Sequence, residues 1–190
     1  MPATDEPDRS SMPPQEAEDQ PPPSTNKAPA AQIDVHFDPN TAAITTTQLN
    51  TLREQTNRVL ALIPNTGSLR VRIVNDEDMI DAHKRFSGLD STTDVLTFDL
   101  ASHDTDFNNK ALDTDLIVCA DEARRQASQR NHPVTHELLL YIVHGVLHCL
   151  GYDDHDHDDY ERMHAREDEL LNAAGIGTVF HSTNDKEHKS

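Results

Sequence analysis

The chain has 190 residues, with 16 Lys and Arg against 34 Asp and Glu, which gives a formal net charge of −18 at pH 7. This length allows one domain with a sizeable core. No run of about eighteen apolar residues is present, so we predict no membrane span. The acidity opposes a broad phosphate-binding surface, which normally depends on Lys and Arg. The two cysteines, Cys119 and Cys149, are typical of reduced, buried residues in a cytoplasmic protein.

The two ends of the chain differ from its middle in composition. Residues 1–31 contain most of the prolines and six acids against two bases. Such a segment cannot bury enough apolar surface to fold, so we predict a disordered tail. It has no apolar core region of the kind that a secretory signal needs. Residues 179–190 are predicted to be a flexible C-terminal end, which leaves residues 32–178 as the folded domain.

Hydrophobic periodicity predicts nine elements in this domain, in the order β-α-β-α-β-β-α-α-α. The strands are predicted at 32–37, 69–74, 95–98 and 116–119, and the helices at 49–63, 76–86, 121–130, 133–149 and 157–174. This order is typical of an α+β (mixed α/β) fold, in which a four-stranded sheet is packed by about five helices.

The chemistry-bearing residues concentrate in the stretch HGVLHCLGYDD, residues 144–154. His144 and His148 are four residues apart, so they project from the same face of a helix and can bind one metal ion. Gly151 fits the left-handed position that ends a helix. Asp154 follows it by three residues, where the zinc-peptidase pattern HExxHxxGxxH has its last histidine. These three side chains predict a site for one Zn²⁺ ion with a fourth position open for water.

Two alternatives to this site remain open, together with one question about its reaction. His144 and His148 are also compatible with buried core histidines that bond to backbone or Asp. Gly145 occupies the position of the peptidase's general base, a Glu, which disfavours ordinary peptide hydrolysis but leaves other metal-assisted hydrolysis open. His155 and His157 lie close enough in sequence to compete with the aspartate as third ligand.

Residues 144–154 resemble the signature of the YbeY family, roughly H-G-x-L-H-L-x-G-Y-D-H. Residues 91–98, STTDVLTF, are similar to the family's P-T-D-V-L-S-F block, and residues 115–119, DLIVC, resemble its G-D-I-V-I block. The three blocks occur in the family's order within residues 33–175. The third ligand of the family is normally His, and this chain has Asp154 at that position. Met163 matches a methionine of the family, and counting back from it without a gap also leads to Asp154.

The resemblance implies a fold and a function. YbeY proteins are bacterial metal-dependent endoribonucleases that mature small-subunit ribosomal RNA and take part in ribosome quality control. For this chain, the resemblance implies a metallohydrolase-like domain that binds zinc and cleaves single-stranded RNA at the 3′ end of 16S rRNA. The implied partners are rRNA and the ribosome or small-subunit ribosomal proteins, with no membrane. The strong acidity predicts weak, salt-sensitive RNA affinity unless such a partner supplies docking energy.

The family also carries a catalytic arginine in its Y-R-G-x-D segment. Here this segment is FSGLD, residues 86–90, so Ser87 occupies the arginine position. Arg85, two residues earlier, is our candidate to replace it as a catalytic residue; a solvated surface role is the alternative.

Two other functions remain open at this stage. The ligand spacing alone favours a zinc metallopeptidase-like hydrolase. The missing arginine and the acidic surface favour a non-catalytic ribosome-assembly factor with a structural metal.

Two other sets of polar residues are predicted to lie on the surface. The nine acids of residues 153–169 are interpreted as a solvated helix face. A surface position is also the default prediction for six scattered histidines: His83, His103, His132, His164, His181 and His188.

Overall fold

The computed structural model describes residues 32–39, 41, 43–101 and 111–179. The predicted tail, residues 1–31, lies outside this part of the chain, and so does the predicted flexible end, residues 179–190, apart from Val179, which is buried. Its sheet consists of β1 (Ile33–Phe37), β2 (Gly67–Val74), β3 (Val95–Asp99) and β4 (Leu112–Cys119). Its helices are α1 (Thr46–Leu60), α2 (Asp76–Ser87), α3 (Ala120–Arg130), α4 (Val134–Cys149) and α5 (His157–Ala173).

The predicted order of elements and the α+β fold class are confirmed. The sheet has the strand order β1-β2-β4-β3, in which β1, β2 and β4 are parallel and β3 runs antiparallel to β4. Strand β4 therefore lies between two neighbours, and its alternate residues Leu112, Thr114, Leu116 and Val118 are buried. Among the described residues, no helix is both long and apolar enough to cross a bilayer.

Helix α4 is the centre of the core. It contacts α1, α3, α5, β3 and β4, and most of its side chains are buried. A helix that is apolar all round is stable only when it is covered on several sides, which is the environment found here. His144 and His148, toward the C-terminal end of α4, are half-buried. The helix therefore presents these two imidazoles at the edge of the core.

Gly145 allows α4 to pack directly against the sheet. A Cβ at this position would lie 2.7 Å from Leu116 Cδ2 of β4 and 2.9 Å from Thr97 Oγ1 of β3. Both distances are shorter than van der Waals contact, and Leu116 is buried and cannot move into solvent. The close contact leaves no room for the glutamate that zinc peptidases carry at the equivalent position of their motif.

The acidic run that precedes and includes α5 is only partly solvated. Glu167 is fully buried, Asp168 is 7% exposed and His164 is 6% exposed. The interpretation of this run as a solvated face is therefore wrong for the two acids, and the default surface position is wrong for His164. The reason is that these side chains lie on the face of α5 that also buries Met163 and Leu171. Asp168 also accepts a hydrogen bond from the backbone N–H of Val179 at 3.2 Å. Val179 is the last described residue, and it is buried.

We predict that Gly145→Ala destabilises the protein. Helix propensity would favour Ala by about 1 kcal/mol, but overpacking of a tight core costs about 1–3 kcal/mol. The steric cost should dominate because Leu116 is held in the packed interior and Thr97 is half-buried on the sheet, so the thermal midpoint Tm should fall by about 3 °C or more.

The matched control is Ser128→Ala on the exposed face of α3, which changes propensity without packing and should leave Tm equal or slightly higher. A rise in Tm for the Gly145 variant would contradict the close packing of α4 on the sheet.

Candidate metal centre

The C-terminal turn of α4 brings two imidazole nitrogens face to face. His144 Nε2 and His148 Nε2 are 3.0 Å apart, and the two rings are perpendicular. The chain then reverses at Gly151, whose φ of 91° lies in the left-handed region that favours glycine. The N–H of Tyr152 donates to the carbonyl of Leu147 at 3.0 Å, which closes the turn.

This turn returns Asp154 to the two histidines. Its carboxylate oxygens lie 3.8 Å from His144 Nε2 and 3.9 Å from His148 Nε2. Ligands of a tetrahedral zinc at about 2.0–2.1 Å would lie about 3.4 Å from one another. The observed separations of 3.0, 3.8 and 3.9 Å bracket that value, so the three side chains fit one such ion.

Among the described residues, His155 groups with Asp153 and Asp154 but not with the two histidines of α4, and His157 is in none of these groups. His155 has 85% of its side chain exposed and is paired with Asp153, and His157 is the exposed first residue of α5. The structure thus brings together the three residues predicted as ligands, and the neighbouring histidines are not part of that group.

Each ligand histidine has a partner for its other ring nitrogen. His148 Nδ1 lies 3.2 Å from the carbonyl oxygen of Tyr152, and His144 Nδ1 lies 2.8 Å from Glu167 Oε1. Both partners are acceptors, so both Nδ1 atoms are assigned as N–H donors. This assignment leaves the lone pair of each Nε2 available to a metal, which is the usual support for a metal-binding histidine.

Glu167 is the residue that the sequence reasoning missed. Its second oxygen accepts a hydrogen bond from His164 Nδ1 at 2.6 Å. Burial alone would raise the pKa of this carboxyl, but the hydrogen bonds and charges of the two histidines outweigh burial and lower it. A signal was present in the sequence: Glu167 follows Met163 by four residues and precedes Leu170 by three, so it lies on the apolar face of α5.

The carboxylates around His144 make the site attractive to cations. Burial would lower the pKa of this imidazole, but the hydrogen bond and charge of Glu167, together with Asp94 and Asp154, raise it. A positive charge is therefore favoured where the two Nε2 atoms meet. A metal ion bound there would compete with a proton for the same nitrogen.

Comparisons with known proteins identify the family of the chain. The family model described as "Endoribonuclease YbeY" matches residues 32–175, which is most of the chain. The chain belongs to the YbeY family.

Two curated relatives are both named Endoribonuclease YbeY. The protein of Staphylococcus aureus (strain bovine RF122 / ET3-1) is 33% identical over 119 residues, which covers 60% of this chain and 77% of the relative. The protein of Macrococcus caseolyticus is 33% identical over 117 residues, covering 60% and 76%. The solution structure of TM1509 from Thermotoga maritima has a TM-score of 0.48 and 22% identity, over 84% of this chain and all of that one.

The YbeY arginine position, Ser87, is the last residue of α2. Arg85 is exposed in the same turn, and its guanidinium carbon lies 5.5 Å from the centre of the Phe86 ring. No contact between Arg85 and the three candidate ligands is found among the described residues.

A pocket lies beside His144, one of the three candidate ligands. It has a volume of about 110 Å³ and is lined by His144, His164, Glu167, Asp94, Arg130, Leu140 and Tyr141. A larger space of about 430 Å³ shares Asp94, Arg130 and Tyr141 with it. We call the two together the α3–α4 cleft. Burial raises the pKa of the Tyr141 phenol well above its ordinary value, so this side chain remains a neutral O–H group.

We predict that Asp154→Ala loses most of the bound zinc. The carboxylate is the third member of the group and would supply an oxygen ligand to the ion. Asp154→His should retain zinc, because imidazole is an equally suitable ligand and restores the YbeY pattern. His144→Ala and His148→Ala should lose it. Zinc content is measured by elemental analysis of protein purified with added zinc.

The matched controls are His155→Ala and His157→Ala, which should keep full occupancy because neither imidazole belongs to the group. Loss of zinc from either control, with retention in Asp154→Ala, would contradict this set of ligands.

Proposed function

We propose that this protein is a metal-dependent endoribonuclease that cleaves single-stranded RNA, with one zinc ion as its cofactor. The observation that carries the proposal is the convergence of His144, His148 and Asp154 at the edge of the core in a chain of the YbeY family. We further propose that it acts in the cytoplasm, in maturation of the 3′ end of 16S rRNA and in ribosome quality control.

Bound zinc would supply Lewis-acid polarisation of a phosphate oxygen and would lower the pKa of a water molecule. The protein's own groups prepare that chemistry. Glu167 accepts a hydrogen bond from Nδ1–H of His144, which leaves Nε2 as the atom that would bind the metal. The carbonyl of Tyr152 does the same for His148. The packing of α4 against the sheet and α5 keeps both rings half-buried and restricts their rotation.

The net charge of −18 makes the electrostatics unfavourable for RNA in general. An RNA strand must reach the metal centre past many carboxylates, so its intrinsic affinity should be weak and sensitive to salt. We propose that the ribosome or a small-subunit ribosomal protein supplies the remaining docking energy. This arrangement would restrict cleavage to RNA that a partner presents.

One alternative has its own supporting observation. Ser87 occupies the YbeY arginine position, so a non-catalytic assembly factor with a structural metal is the second candidate. A peptidase is less favoured, because Gly145 has no space for the catalytic glutamate beside Leu116 and Thr97.

The test is incubation of the zinc-loaded protein with a labelled single-stranded RNA and with the same RNA as a duplex. We expect internal cleavage of the single strand, loss of cleavage with a chelator, and recovery when zinc is restored. His144→Ala, which lacks a ligand, should be inactive. Cleavage that persists in this variant and in chelator would indicate a contaminating nuclease. A folded, zinc-loaded protein with no cleavage would favour the assembly-factor alternative.

The same assay tests Arg85, our candidate for the YbeY arginine. Arg85→Ala should lower the cleavage rate at least about tenfold, which corresponds to about 1.4 kcal/mol of transition-state stabilisation, with zinc content unchanged. The control is Arg53→Ala, since Arg53 lies over the Phe37 ring in a similar way on α1. Equal rates for wild type and Arg85→Ala would assign Arg85 to the surface.

A further inference from the structure

The α3–α4 cleft reaches His144, one of the three candidate metal ligands; the other two, His148 and Asp154, do not line either part of it. One wall is formed by residues 92–94, before β3, and another by α3 and α4. The inner end reaches His144, the ligand that Glu167 orients. An RNA strand that enters this cleft beside His144 must place a phosphate between those walls.

The charges in the cleft are mostly negative. Its lining includes the carboxylates of Asp94, Glu122 and Glu167. Arg130 is the one Arg or Lys among the described residues that line either part, and it lines both. Phosphate binding depends on Arg and Lys, so the cleft has a single side chain of the required charge.

Arg130 is held in place by a buried carboxylate, Glu137. Its Nη1 donates to Glu137 Oε1 at 3.1 Å, and His132 Nε2 lies 2.8 Å from the same oxygen. Glu137 is fully buried, and a buried carboxylate without a compensating charge is strongly unfavourable. The pair therefore restricts the guanidinium to the cleft wall. The arginine side chain remains 31% exposed, so part of it faces solvent in the cleft.

The opposite wall is also restrained. Thr92 donates to Asp76 Oδ1 at 3.3 Å, and Arg125 donates to both oxygens of the same carboxylate at 2.6 and 2.8 Å. The hydrogen bonds from Arg125 are the main reason that the pKa of Asp76 is lowered to about 2. Residue 92 is thereby tied to α2 and α3, so the width of the cleft is set by fixed elements.

The other arginines of α3 do not line this cleft. Arg124 is paired with Asp121 and donates to the carbonyl of Ala43. Arg125 is paired with Asp76 and Glu122. Arg130 differs from both, because it is the arginine of α3 that lines the same pocket as a candidate metal ligand.

We propose that Arg130 binds a phosphate group of the RNA strand in the α3–α4 cleft, beside His144. The planar guanidinium has five N–H donors in a fork that matches two phosphate oxygens, and the pair with Glu137 holds it in position before RNA arrives. This inference rests on the proposed ribonuclease function, and it assigns the phosphate contact to a residue outside the YbeY motifs.

The test measures RNA binding as a function of salt. Fluorescence anisotropy with a short 2′-O-methyl oligouridylate gives affinity and its salt slope, and mass spectrometry checks that the strand is intact. Arg130→Gln should bind at least about tenfold more weakly, and the slope of log affinity against log salt should fall by about 0.7, the contribution of one phosphate contact. Arg130→Lys should keep the slope, because it keeps the charge, but should lose several-fold in affinity with the planar fork.

The matched control is Arg124→Gln, which removes the same charge from the same helix outside the cleft and should change neither quantity. Wild-type affinity and slope in Arg130→Gln would overturn the proposal. A loss of affinity with an unchanged slope would also overturn it, because that result indicates a structural role. If Arg130→Gln does not fold, Arg130→Lys decides: wild-type affinity in this variant overturns the proposal.

The cleavage assay run in parallel separates this proposal from the proposed function. If the wild type cleaves RNA in a chelator-sensitive way while Arg130→Gln keeps the wild-type RNA affinity and salt slope, the phosphate contact alone is overturned. The expected loss in Arg130→Gln, in a wild type that binds but does not cleave RNA, would support the contact and contradict catalysis. A zinc-loaded wild type with no RNA binding would contradict both.

Discussion

The buried carboxylate of Glu167 is the interaction on which the candidate metal centre depends. Both of its oxygens accept hydrogen bonds from imidazoles, one from His144 at 2.8 Å and one from His164 at 2.6 Å. A fully buried carboxylate is tolerated only when it is paired in this way. Helix α5 can therefore pack on α4 only in a position that satisfies the carboxylate, and that position leaves Nε2 of His144 facing His148 and Asp154.

The packing of α4 supplies the second condition. Gly145 brings the helix within contact of β3 and β4, while the apolar residues around it fill the space between the sheet and α1. A dense core of this kind does not allow the helix to shift or rotate freely. The two histidines are thus held on a rigid element, as precise metal sites require. The turn at Gly151 then needs only three further residues to bring in Asp154.

Patterns that are local in sequence predicted much of this structure. The order of elements was predicted because the spacing of apolar residues, every second residue in a strand and every third or fourth in a helix, indicates which face is buried. The three candidate ligands were predicted because they lie within eleven residues of one helix and its turn. Glu167 and His164 were missed as parts of the site, because their contacts arise where α4 and α5 meet, which no spacing within one element records. An acid on the apolar face of α5 was the available signal for Glu167.

The zinc affinity of Glu167→Gln tests the central claim most directly, since this change preserves the shape of the side chain and removes its charge. Zinc dissociation constants of the variant and the wild type are compared by titration against a competing chelator, with Tm measured on both metal-free proteins. If Glu167 orients His144 for metal binding, the variant should bind zinc about 10–100-fold more weakly while it remains folded. Equal affinity in a folded variant would contradict the account.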